Sequence, residues 1–227
     1  MSLILNIDTS GETGMVALSR QGIIVQYEQN EKQQEHASFL QPAIAAIMQR
    51  ENATFSDLAA VAVGNGPGSY TGLRVGLASA KGICFAAQLP LITISSLEIL
   101  AAAMKQAIPV TATDYLLCPM IDARRMEVFM ALYNADLQCL QEPSAVVLTP
   151  ELFYNAPQVI YVGGNGASKF LSITPQPEKH IGIDAITYYK QSLAVLAWEH
   201  FQRARFADLA YSEPFYSKAF YSPPRQH

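Results

Sequence analysis

Asp8 and Asp122 each close an apolar, strand-like run, residues 3–7 in the first case and 116–121 in the second, and each is followed at once by turn residues. A carboxylate in that position has two uses. It can stand beside a phosphate and organise metal-bound water, or it can accept N–H groups of its own turn, the commoner role of Asp after a strand. A second candidate is the stretch Gly64-Asn65-Gly66-Pro67-Gly68, which ends the β-branched run 60–63 and leads straight into a long apolar helix pattern. Three glycines and a proline specify a tight strand-to-helix turn, Ser69 or Thr71 can cap the helix, and an anion can sit at its positive end. The usual fingerprints fail, however. No Gly-Lys-Ser/Thr follows, and Ser69 stands where a dinucleotide motif needs its third glycine. Cys84, Cys118 and Cys139 are scattered without metal or redox spacing and read as small core hydrophobes of a reducing compartment.

The elements that position these residues follow from periodicity. Residues 3–7, 15–18 and 23–27 read as an antiparallel meander. Residues 35–50 read as a helix with Leu40, Ala43, Ile44 and Ile47 on one face, starting either near Gln41 with Pro42 in its first turn or near Glu35 with a bend. The helix after the glycine turn, 72–86, carries Gly72, Gly76 and Ala80 four apart, with Leu73, Leu77 and Cys84 on the adjacent stripe. Interior glycine costs about 1 kcal/mol against alanine, so something must approach closely in compensation. Two partners are open: the chain's own sheet, or a helix of another subunit. A strand at Leu91–Ile94 and a helix from Ser95 to about Ala107 follow.

The second half repeats the first. A strand ending in Asp122, a turn and a strand at 128–133 match the opening hairpin. Farther on, a strand at 159–162 leads into Gly163-Gly164-Asn165-Gly166 and a helix-compatible ASKFL, as 61–63 leads into Gly64-Asn65-Gly66. Two matches in the same order point to duplicated α/β lobes. A last amphipathic helix is expected at 191–207, then a Tyr- and Pro-rich tail. With 227 residues, 50% hydrophobic and 15% charged, the chain holds enough apolar surface for two cores or for a core and a subunit contact. Its net charge of −4 and the absence of a basic stripe argue against binding RNA alone. No run approaches the roughly 20 apolar residues of a membrane span, and the N-terminus lacks a basic region, so a cytoplasmic protein is expected.

Two lobes, each opening with a hairpin whose first strand ends in Asp, suggest the actin-like ATPase (ASKHA) architecture of two ribonuclease-H-like lobes, here expected at 1–107 and 108–227, with the final helix and tail packing back on the first. The chain resembles the TsaB (YeaZ) family of the bacterial tRNA threonylcarbamoyladenosine pathway through ILNIDTS at 4–10, GPGSYTGLRVGLASAKGICFA at 66–86, SSLEILA at 95–101 and IDARRMEVFMALY at 121–133. Pro214-Phe-Tyr216-x-Lys218 resembles the family's closing segment, with lysine in place of arginine.

The resemblance implies a cleft with Asp8, Thr9, Ser10 and Asp122 as candidate nucleotide-binding residues. Arg124 and Arg125 stand where ATPases of this class use small residues, which favours weak nucleotide binding and salt bridges at the lobe junction. The catalytic relative TsaD holds its metal through two histidines four apart. Here His36 is present but position 40 is Leu, and His180, His200 and His227 lie far off in sequence, so no metal site is expected and His36 reads as a cap or surface residue. The family pairs with TsaD through the two helices, which assigns His36, Leu40, Ile44, Ile47, Leu73, Gly76, Leu77 and Ala80 to a protein interface. It also implies TsaE as a further partner, a homodimer through the same face when TsaD is absent, tRNA contact through the complex, no intrinsic cofactor, and ATP or ADP at the complex interface. The expected function is a non-catalytic subunit of threonylcarbamoyl transfer. The alternatives are a self-sufficient actin-like ATPase or small-molecule kinase, and a metallopeptidase of the M22 glycoprotease type.

Overall fold

A computed structural model of the chain describes residues 2–216; Lys218 and His227 lie outside the described residues. Among the described residues ten strands form two five-stranded sheets. The first contains β1 (Leu3–Asp8), β2 (Gly14–Arg20), β3 (Ile23–Asn30), β4 (Leu58–Gly64) and β5 (Leu91–Ile94) in the order β3-β2-β1-β4-β5. The second contains β6 (Tyr115–Asp122), β7 (Glu127–Asn134), β8 (Cys139–Val147), β9 (Val159–Gly163) and β10 (His180–Ile183) in the order β10-β9-β6-β7-β8. Numbered within each half, the two orders coincide. The central strand pairs antiparallel with the second strand of its hairpin and parallel with the fourth strand of its half. The duplication read from two short motifs thus extends to every strand.

Among the described residues five α-helices complete the fold: α1 (His36–Arg50), α2 (Tyr70–Ala87), α3 (Ser96–Ala107), α4 (Ala167–Leu171) and α5 (Ile186–Gln202). All six residues of β1 are buried, because the strand is covered on both faces. Leu3, Leu5 and Ile7 point to α1 and α2, where Leu40, Ile44, Ile47, Leu77 and Ala80 meet Val61 and Val63. Ile4 points the other way, to Leu193, Leu196 and Ala197 of α5. Two helices pack on the sheet of the other half. Leu97, Leu100, Ala101 and Met104 of α3 pack on Tyr115, Leu117 and Ala131 of the second sheet, while α5 returns to the first. A Gln106 Nε2 to Ser192 Oγ hydrogen bond of 2.9 Å ties these two exchanged helices together.

Pro42 sits inside α1, which starts at His36. The proline is solvent-exposed, so the carbonyl it leaves without an N–H partner faces water. The last helix ends at Gln202 rather than 207, and Ala204 adopts a left-handed φ of 50°. Strands β8 and β10 were not anticipated. β8 is an exposed sheet edge whose sequence CLQEPSAVV lacks a clean alternation, and β10 has four residues including a glycine. Among the described residues, no helix is long and apolar enough to cross a membrane.

The small-residue stripe of α2 has its answer here. A Cβ on Gly72 would land on the Thr9 carbonyl oxygen and one on Gly68 on the Ser10 carbonyl oxygen, while one on Gly76 would lie 2.5 Å from Thr9 Oγ1. Ala80 is fully buried against the first sheet. The compensating close approach is therefore made by the chain's own β1–β2 turn. Gly82 differs, since nothing lies within 4 Å of the position its Cβ would take. Gly72→Ala is expected to destabilise the fold by about 1–3 kcal/mol through overpacking. Gly82→Ala should stabilise it by about 0.5–1 kcal/mol through helix propensity alone. Urea unfolding of the two variants should move in opposite directions from the parent.

Candidate functional site

The first hairpin presents Asp8 to a cleft whose walls from the second half include Ile121, Gly164 and Asn165 but not Asp122, and each of the two carboxylates already has partners from this chain. Asp8 is 3% exposed. Its Oδ1 accepts the Ser10 N–H at 2.8 Å and its Oδ2 accepts the Tyr189 hydroxyl at 2.8 Å. Burial, reinforced by the Asp8 charge, pushes the Tyr189 hydroxyl well above its ordinary range, so it stays a neutral donor. Thr9 Oγ1 donates to the Gly72 carbonyl at 2.7 Å, and the Ser10 carbonyl accepts the Ser69 N–H at 2.7 Å. Ser69 is the N-cap of α2, its side chain accepting from Gly72.

In the second hairpin Asp122 Oδ1 accepts Lys169 Nζ at 2.8 Å and the Arg124 N–H at 2.5 Å, while Asn165 Oδ1 accepts the Asp122 N–H at 2.9 Å. The Lys169 ammonium, with the Arg124 N–H beside it, holds the Asp122 carboxyl below the usual carboxylate range. The ion pair of this turn therefore goes to Lys169, not to either arginine. Arg124 and Arg125 are both exposed, with left-handed φ of 67° and 50°.

Between the hairpins lies a cavity of about 200 Å³ whose walls include Asp8, Ser10, Glu12, Ser96, Asn165 and Tyr189. The side chains of this lining offer a nucleotide phosphate no cation. Its charged groups are the carboxylates of Asp8 and Glu12, and the nearby cation of Lys169 is already bound to Asp122 and to the Arg125 carbonyl. Nor do the residues fit a metal, for among the described residues no three His, Cys, Asp or Glu side chains gather. His36 is not a surface residue, and although its backbone N–H caps the short turn at Gln33–Glu35, its side chain caps nothing. It is 2% exposed, its Nε2 lies 3.1 Å from the Gly11 carbonyl oxygen, and its ring packs so closely on Gly14 that a Cβ there would come 2.7 Å from Nδ1.

The eight side chains assigned to a protein interface also need correction. His36, Leu40, Ile44, Ile47, Leu73, Gly76, Leu77 and Ala80 are all buried inside this chain. The apolar face of an amphipathic helix is claimed first by its own sheet. The outward face of the same two helices is different in kind. It exposes Ala37, Pro42 and Ala45 on α1 and Ala78, Gly82 and Phe85 on α2, Phe85 at 80%. A Gln41 Nε2 to Ser79 Oγ hydrogen bond of 3.0 Å joins the two helices across it.

Of the site residues that periodicity missed, Asn165 carried a signal in the repeated Gly-Asn-Gly. Lys169 and Tyr189 carried none, because a lone lysine in the helix-compatible ASKFL and a tyrosine far along the chain reach the two aspartates only through tertiary packing.

Two sheets of one topology, each opening with a hairpin whose first strand ends in Asp, define the duplicated ribonuclease-H-like fold of the actin-like ATPases. A polyphosphate/ATP-glucomannokinase from Arthrobacter shares this fold alone, at 9% identity and a TM-score of 0.52 over 90% of this chain and 100% of that one. The chain belongs to the family described as TsaD, tRNA N6-adenosine threonylcarbamoyltransferase, whose model matches residues 23–215.

Within that family the likeness is to TsaB/YeaZ. The tRNA threonylcarbamoyladenosine biosynthesis protein TsaB of Bacillus subtilis is 35% identical over 58% of this chain and 55% of its own length. That of Escherichia coli is 33% identical over 68% and 66%. The chain thus spans between about half and two thirds of these curated relatives in the matched stretches. The solved structure of YeaZ from Pseudomonas aeruginosa superposes with a TM-score of 0.74 at 27% identity, covering 95% of this chain and 100% of that one.

Tyr189→Phe leaves one oxygen of the buried Asp8 carboxylate without its donor and is expected to cost about 1–3 kcal/mol in urea unfolding. Asp122 gives a pH test. Its folded pKa is depressed, so its contribution is present above the ordinary carboxylate value of about 3.9 and is lost as pH falls through the folded value. Lys169→Met should return Asp122 toward that ordinary value in a carboxyl NMR titration. Because the Asp122 side chain is 37% exposed, solvent screening keeps the accompanying stability change below about 1 kcal/mol.

Proposed function

We propose that this chain is a non-catalytic subunit of a cytoplasmic tRNA threonylcarbamoyladenosine machinery. It docks on TsaD, and with it TsaE, for transfer of the threonylcarbamoyl group to the adenosine next to the anticodon. The observation that carries this reading is the contrast between cleft and outer face. The carboxylates at the two strand ends are satisfied by Tyr189, Ser10 and Lys169, whereas the outward side of α1 and α2 offers small side chains and a large exposed aromatic ring. Exposed apolar residues grouped on two neighbouring helices suit a helical partner, and small residues let its backbone come near. A second copy of the chain uses the same face when TsaD is absent. The net charge of −4 suits a subunit that leaves tRNA contact to its partner. Nucleotide, where the complex needs it, binds at the contact between subunits.

Gly82 supplies the test, because a side chain there meets nothing of this chain. Gly82→Arg should leave the melting temperature of the free protein within a few degrees of the parent and abolish co-purification with TsaD. A variant that still co-purifies at full yield would remove the outward face from the reading. Threonylcarbamoyl transfer by the isolated chain at the rate of the complex would remove the non-catalytic role. A tight magnesium-dependent ATP isotherm, lost in Asp8→Ala, would favour a self-sufficient ATPase instead.

A further inference from the structure

After α5 the chain runs back over the first half as a strap. Ala207 forms an antiparallel bridge with Leu91, the Phe215 N–H donates to the Asn65 carbonyl at 2.9 Å, and the Tyr216 ring rests 5.1 Å from that of Tyr70. Strap and α2 enclose a groove of about 330 Å³ that shares Ala78 with the outward face. Its walls carry two cations, Arg74 and Lys81, and one anion, Glu213.

Both cations are held in place without a carboxylate. Arg74 Nη1 donates to the Tyr70 hydroxyl at 2.7 Å, and its guanidinium stands 5.4 Å from the centre of the same ring. Lys81 Nζ donates to the Ala210 and Ser212 carbonyls at 3.1 and 3.0 Å. Among the described residues the ion pairs of this chain lie elsewhere, and none joins Glu213 to either cation. The result is a positive groove with apolar walls from Leu77 and Pro214, its charges pre-oriented by neutral groups.

We infer that this groove receives a carboxylate-bearing segment of the protein partner that docks on α1 and α2, with Arg74 as its anchor. The inference rests on the docking reading above and extends it from the small-residue face to its charged margin. A guanidinium fixed by a tyrosine loses little freedom on accepting a carboxylate, and its fork geometry suits a bidentate pair. Lys81 adds field at the same place while its own hydrogen bonds keep the strap on α2. Complementary charge at the edge of an interface acts through orientation and association rate, and is weakened by salt.

Calorimetry of the full chain with TsaD, at low and at physiological ionic strength, tests this with Arg74→Glu beside Gly82→Arg. Arg74→Glu is expected to fold as the parent does, to weaken binding about tenfold or more, which corresponds to about 1.4 kcal/mol, and to flatten the salt dependence. Arg74→Lys should recover part of the loss. Parent-like affinity in Arg74→Glu alongside lost binding in Gly82→Arg overturns the groove and keeps the face. Parent-like affinity in both variants overturns the face as well. If Arg74→Glu instead weakens binding of tRNA to the isolated chain and leaves TsaD affinity intact, the groove holds phosphate, not a protein carboxylate, and the inference falls.

Discussion

The fold turns on one close approach. The backbone of Thr9 and Ser10, just past the end of β1, lies directly against the start of α2, where Gly68 and Gly72 have no Cβ to oppose it. Three elements meet there. Gly64 at the end of β4 lies against the Asp8 carboxylate, Ser69 caps the helix and donates its N–H to Ser10, and Thr9 bonds the Gly72 carbonyl. Larger residues at these glycines would lift α2 off the sheet and break the core built by Leu73, Leu77 and Ala80. The second half solves the same problem in the same way. A Cβ on Gly164 would strike the Met120 carbonyl oxygen, and one on Gly166 would lie 3.1 Å from the Asp122 nitrogen. Duplication has preserved a steric constraint as well as a strand order.

That constraint explains how the cleft closes on itself. Each aspartate is drawn into its own turn, where a backbone N–H two residues on takes one of its oxygens. A second donor then comes from a helix packed nearby, Tyr189 of α5 in the first half and Lys169 of α4 in the second. The exchange of α3 and α5 between sheets brings Tyr189 within reach of Asp8, although 181 residues separate them in sequence. Carboxylates in such surroundings act as structural acceptors. What a phosphate-binding cleft needs is unclaimed cationic donors, and here the Lys169 ammonium is taken by Asp122 and the Arg125 carbonyl.

Much of the architecture was legible because apolar periodicity survives wherever a strand or helix is buried on a clear face. β1, β4, α2 and α3 fall where their patterns put them. The misses share a cause. β8 is an edge strand with little burial, and β10 is short, so neither shows alternation; the extra residues assigned to α5 belong to the strap, whose apolar side chains continue the pattern without the helix. For the site, residue types at the two strand ends were readable, but their partners were not, since Tyr189 and Lys169 are set by tertiary packing. The residues assigned to the interface are buried in this chain for an instructive reason. Leu40, Ile44 and Leu77 are conspicuous in sequence because they are core residues, and a surface for a partner is built from what that core leaves over.

The two kinds of glycine in α2 make this point physically. At about 3.6 residues per turn, Gly72, Gly76 and Ala80 fall on one side of the helix, and Ala78, Gly82 and Phe85 on the other. The inner glycines are accounted for inside the chain, where the Thr9 backbone and hydroxyl occupy the space they leave. Gly82 has no such compensation, so its cost of about 1 kcal/mol to the helix is borne by the free protein. Beside it, a phenylalanine 80% exposed adds apolar surface that the monomer does not bury. A helix that is destabilised and apolar on the side facing solvent gains on both counts when another backbone covers it, and that gain is available only in a complex.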